Sequence, residues 1–147
     1  MKPTGRTRGF TLVEMAVTLL IFGLVLAFSV PALKSVSQTH QLHGSAENLA
    51  AQLRLARERA IATGQTQTMH FTTNYPPGST WDYHLHNGGV IGPGWDLPFG
   101  VSYFSVTVNP TFQKDGSASS SGIVVLQNTH GERDTVTLQL SGLVLCQ

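Results

Sequence analysis

The chain is short of charge and almost without cysteine. Of its 147 residues 12 % are charged and one, Cys146, is a cysteine. A single cysteine excludes an intrachain disulfide and any paired-cysteine metal site, so Cys146 reads as a small apolar residue of a terminal strand. From Thr63 onward the cations are Lys114 and Arg133, set against Asp82, Asp96, Asp115, Glu132 and Asp134. This mildly acidic distal part has no electrostatic footprint for nucleic acid, which is not an expected partner. Catalytic signatures are missing as well: no Ser-His-acid pattern, phosphate-cradling glycine loop or zinc spacing stands out. His84 and His86 put two imidazoles on one side of a strand but lack a third ligand at defined spacing, so they read as solvent-facing strand residues, as His40 and His43 do on a helix. Asp115-Gly116 and Asn128 to Gly131 read as turns rather than calcium loops. No enzyme, cofactor or metal is expected.

What the chain does have is a long apolar run. Phe10 to Val30 carries one charge, Glu14, in 21 residues. As a helix it spans roughly 31 Å, the thickness of a bilayer's hydrocarbon core. A cleaved secretory signal fits poorly, because such signals are shorter and have their small-residue cut site after the apolar region. Here Gly9 comes before it. Lys2, Arg6 and Arg8 on the short side place the start of the chain in the cytoplasm by the positive-inside rule. A plain anchor leaves Glu14 unexplained, since a carboxylate in an apolar helix costs about 2.5–3.5 kcal/mol on insertion scales.

Gly9-Phe10-Thr11-Leu12-Val13-Glu14, behind basic residues and ahead of the apolar run, resembles the processing site of type IV prepilins. The resemblance implies cleavage after Gly9 by a membrane-embedded prepilin peptidase and N-methylation of Phe10. It also implies filament assembly through Glu14, which in that family meets the amino terminus of a neighbouring pilin subunit. Such a pair suits the physics: the charges attract strongly in low dielectric, and close partnership offsets their desolvation. Ala16, Thr18 and Gly23 are small enough to let helices approach. Pro31 closes the run. The resemblance implies a bent helix continuing past it, and the sequence equally permits a break.

Beyond Pro31 the pattern is amphipathic. Leu42, Ala46, Leu49, Leu53, Ala56 and Ala60 recur at helical spacing, and Thr63-Gly64 supplies a carboxyl-terminal stop. Arg54, Arg57 and Arg59 read as a solvated face with an Arg54–Glu58 pair. Strands are expected over 67–71, 81–86, 101–108, 123–126, 135–140 and 143–145. Turns are expected at 75–78, 87–89, 92–94 and 128–131, with a mobile loop over 117–122. The expected class is α+β: a long N-terminal helix, transmembrane in its first half and amphipathic in its second, packed on an antiparallel β-rich C-terminal head. The expected divisions are a leader at 1–9, a transmembrane helix at 10–30, an amphipathic helix at 31–63 and the head at 64–147.

Asn48 to Ala62, Phe112 to Gly116, Ile123 to Leu126, Gly131 and Val136 to Val144 resemble the GspH/FimT group of minor pilins and pseudopilins. That implies a structural subunit helping to initiate or cap a type II secretion pseudopilus or a type IV pilus. Its implied setting is the inner membrane, single-pass, with the head on the far side. A DNA-binding minor pilin for natural transformation is the alternative. Members that bind DNA carry arginines around the last glycine, whereas this chain has Ser141-Gly142-Leu143-Val144-Leu145, with no Arg or Lys after Arg133. An anchored binding domain outside any filament leaves Gly9 and Glu14 without a purpose.

Overall fold

A computed structural model describes residues 9–71 and 81–147, with the backbone alone for 29–35. The chain divides into two compact units, Met1–Val36 and Ser37–Gln147. The expected turn at 75–78 lies outside the described residues.

Helix α1 (Leu12–Thr63) is one element of 52 residues. Thr11 caps its start. The Thr11 Oγ accepts from the Glu14 backbone N–H at 3.2 Å, and the Thr11 carbonyl accepts from Met15 N–H at 3.2 Å. This is one half of the Thr-x-x-Glu capping box, a signal present in the sequence but hidden by the apolar run around it. The helix does not break at Pro31. Proline removes a single rung of the ladder, and the turns on either side keep theirs. Among the described residues no helix is long and apolar enough to cross a membrane. The described side chains of the apolar run stop at Phe28, short of its end at Val30. Gly64, at φ +65°, ends α1 in the left-handed conformation expected of it.

In the second unit the stripe from Leu42 to Ala60 is buried as its spacing predicts, joined by Ala50. Four of its members are alanines (Ala46, Ala50, Ala56 and Ala60), so the strands can come close to the helix backbone. Two antiparallel four-stranded sheets complete this core. The first contains β1 (Gln67–His70), β2 (Tyr83–Asn87), β3 (Val90–Trp95) and β5 (Thr111–Phe112), in the order β3-β2-β1-β5. The second contains β4 (Val101–Val106), β6 (Gly122–Asn128), β7 (Arg133–Leu138) and β8 (Val144–Cys146), in the order β4-β6-β7-β8. Met69, Leu85 and Phe112 from the first sheet, with Phe71 just past β1, join Val124, Leu126, Val136, Leu138 and Val144 from the second in one core with the helix stripe. The α+β class and the helix packed on antiparallel strands are as expected.

Several local readings are corrected. Gly92-Pro93-Gly94 is strand, not turn, because β3 is an edge strand and proline is tolerated there. Gly94 also makes room for Trp81, whose indole a Cβ at position 94 would penetrate. The turn before it holds: Gly88 and Gly89, at φ +53° and +93°, make a two-residue hairpin between β2 and β3. The short strand β5 was not foreseen, its two residues being too few for an alternation to show. The loop over 117–122 is fastened rather than mobile. Ala118 is buried, its N–H donates to Leu140 O at 2.9 Å, and Ser119 N–H donates to Thr111 O at 2.8 Å. Cys146 lies in β8 as a free thiol, and burial together with Asp134 and Glu47 pushes its pKa up.

Candidate functional site

The residues singled out for processing and assembly gather at the start of α1. Gly9, Phe10, Thr11 and Glu14 line one open recess. Among the described residues nothing crowds the position a Cβ would take at Gly9, and Gly9 is not among the glycines with positive φ. The described residues therefore make no demand for glycine there. Phe10 is 71 % exposed. Glu14 occupies the third helical position, where a carboxylate is favoured by the helix dipole. It is exposed, and among the described residues it has no ion-pair partner within the chain. The large apolar side chains of the run, from Leu12 through Leu19, Phe22 and Leu26 to Phe28, are all at least half exposed. That much apolar surface on one helix calls for a covering of lipid or of other helices.

The arginine cluster on the head differs from its expected form. Arg54 does not pair with Glu58. Its Nη2 donates to Val144 O at 3.0 Å. Arg57 donates from Nε to Gly116 O at 2.8 Å and from Nη2 to Ser141 O at 3.4 Å. These guanidiniums tie α1 to two turns and to β8, because strand ends that pack against a helix leave carbonyls within an arginine's reach. With two of its three clustered arginines so engaged, the isolated head is expected to bind double-stranded DNA no better than a neutral control protein. Fluorescence anisotropy across a salt series measures this, and micromolar affinity with a steep salt slope contradicts it.

Where α1 enters the head, a polar seam joins it to the β6–β7 hairpin. Thr129 Oγ donates to Gln38 Oε1 at 2.8 Å, and Thr39 Oγ donates to Glu132 Oε2 at 2.8 Å. Asn128 Nδ2 donates to the same Glu132 oxygen at 2.7 Å, and these two bonds hold the Glu132 carboxyl below its usual pKa. His43 sits between Asp134, at 3.1 Å, and Glu47, at 3.4 Å.

His84 is not solvent-facing. It is fully buried, paired in register with His70 across β1 and β2. The third imidazole that the sequence did not reveal is therefore His70, brought in by strand pairing. The His70 and His84 rings are only 15° from parallel, with centroids 5.3 Å apart. Imidazole lone pairs lie in the ring plane, so two stacked rings do not aim at one ion. Among the described residues no group of three ligating side chains could hold a metal.

A capped helix opening on Gly-Phe-Thr-Leu-Val-Glu and closing into a two-sheet α+β head defines a pilin-like subunit. Comparison with known families agrees. Residues 5–30 match the prokaryotic N-terminal methylation motif, and residues 45–142 match the family of the type II transport protein GspH. The chain belongs to that family, the GspH/FimT group of minor pilins and pseudopilins. Among solved structures it is similar to the type IV minor pilin FimU of Pseudomonas aeruginosa, with a TM-score of 0.56 at 15 % identity, covering 76 % of this chain and 92 % of that one. That likeness speaks to the fold. No curated protein matches the chain.

Proposed function

We propose that the chain is a structural subunit of an envelope-spanning filament, a minor pilin or pseudopilin that helps initiate or cap a type II secretion pseudopilus or type IV pilus. Residues 1–9 are its leader, 10–30 its inner-membrane segment, 31–63 the helix leading into the head and 64–147 the head. Prepilin peptidase cuts between Gly9 and Phe10, Phe10 is N-methylated, and Glu14 recruits the chain into the filament beside other pilin or pseudopilin subunits. The observation that carries this reading is the start of α1: a carboxylate at a capped helix terminus with no partner in its own chain among the described residues, followed by a run of exposed apolar side chains.

Cleavage gives that carboxylate a purpose. The new ammonium on Phe10 stands just before the amino-terminal end of a helix, where the dipole is positive and disfavours a cation. An anion nearby relieves this, and a neighbouring subunit's Glu14 supplies one while the apolar helices cover each other. Mass spectrometry of the protein from cells with active prepilin peptidase is expected to show a chain beginning at Phe10, with one added methyl group. An intact Met1 terminus, or a terminus after Val30, contradicts the reading.

A further inference from the structure

Three imidazoles lie together on one face of the first sheet. His70 in β1 faces His84 in β2 in register, and their rings stack with centroids 5.3 Å apart. His86, two residues along β2, stands 4.6 Å from His70 and 5.1 Å from His84, centroid to centroid. Trp81 lies 6.1 Å from His84 and rests on the bare backbone of Gly94 in β3. His84 has no exposed surface.

Asp82 precedes β2, two residues before His84, and its carboxylate accepts from Leu97 N–H at 2.7 Å. Neither β3 nor β5 carries a charged residue, and the stretch from Gly64 to Trp81 contains no acidic residue and no base other than His70. Burial lowers the pKa of His84, and the charges of His70 and His86 lower it further. Burial and then His86 do the same to His70. No carboxylate is among the groups acting on either ring, unlike His43 between its two acids. The folded state thus prefers His70 and His84 neutral, whereas an opened strand pair lets both titrate near the ordinary value of about 6.5. Protons bind the opened form more readily below that value. Stability from the closed cluster is full above it and is lost as pH falls.

We propose that His70, His84 and His86 form an acid-sensitive latch on the first sheet, which keeps β1 and β2 closed while the rings are neutral and opens them locally when two become protonated. Opening is confined to this sheet because β4, β6, β7 and β8 contain no histidine. Trp81 is released with it, the indole losing its bed against His84 and Gly94.

The test uses the full-length protein in a nonionic detergent, with amide hydrogen exchange corrected for the intrinsic effect of pH. Between pH 7.5 and pH 5.0, protection of Met69, His70, Leu85 and His86 is expected to fall while that of Val124 to Leu126 and Val136 holds. Tryptophan emission is expected to shift to the red over the same range. His86→Gln, which removes one mutual charge at the half-buried member, is expected to shrink both changes. Equal losses of protection in the two sheets overturn the latch, as does a change that His86→Gln leaves untouched. Should the variant fold poorly, the wild-type histidine titrations decide by NMR, and three rings titrating independently near the ordinary value overturn it too.

Discussion

A Glu14→Leu chain is expected to be cut after Gly9 and held in the membrane, yet to be largely missing from the filament. Three effects compete. Removing a carboxylate from an apolar helix favours insertion by about 2.5–3.5 kcal/mol. Losing an acid from the first turn of α1 weakens the helix by roughly 0.3–1 kcal/mol. Leaving a neighbour's ammonium buried without its partner costs about 3–5 kcal/mol, and this falls on assembly alone. Assembly therefore carries the largest loss, while membrane level is unchanged or improved. Glu14→Gln separates the charge from the cap, since glutamine serves the same place in a capping box. It is expected to be excluded almost as strongly as Glu14→Leu. Crosslinking to the other subunits measures recruitment, and wild-type recruitment of both variants would mean that Glu14 is dispensable for assembly.

Gly142→Ala is expected to be the most damaging single methyl group in the head. Gly142 has φ +77°, a conformation that a side chain strains. A Cβ there would overlap Gly116 O and come within 2.7 Å of Arg57 Nε. Neither neighbour can step aside easily, because Arg57 Nε already donates to that same Gly116 oxygen at 2.8 Å. Backbone strain, overlap and the loosened arginine together predict a loss of about 2–4 kcal/mol. For a unit of this size that lowers the melting temperature by roughly 10–20 °C. Gly131→Ala is the control. Its φ of +83° is equally strained, yet its Cβ would meet nothing nearer than Gln127 Nε2 at 3.5 Å. A loss of about 1 kcal/mol is expected there. Thermal melts of the two variants that coincide would show that crowding at the Arg57 turn contributes nothing.

The elements legible in the sequence are those whose signals are local. The stripe from Leu42 to Ala60 keeps its spacing for five helical turns, and burial follows it residue by residue. Gly64, Gly88 and Gly89 turn the chain where their lack of a Cβ says they should. Misreadings cluster where long-range contact overrides local preference. Gly92-Pro93-Gly94 has the composition of a turn, yet pairs as an edge strand because Tyr83 and His84 offer it partners. His84 and Arg57 read as solvent-facing because polarity is visible in a sequence and a partner far along the chain is not. Gly9, Phe10 and Glu14 stand out in the sequence for the opposite reason. Their signal is a compact string within the stretch that matches the N-terminal methylation motif, and the described fold adds to it the Thr11 cap.

The polar seam between α1 and the β6–β7 hairpin has a mechanical consequence. In the filament proposed above, tension along the helix would bear on the part of α1 that belongs to the second unit. There the bonds from Gln38, Thr39 and His43 reach across to Thr129, Glu132 and Asp134 at successive heights along the helix. A pull along the helix axis strains them in parallel, as a lap joint is strained, instead of opening them one after another like a zip. The polar ties at the mouth of the head would thus be the first bonds to feel the force, with the Arg54 and Arg57 bonds to Val144, Gly116 and Ser141 holding farther along the helix.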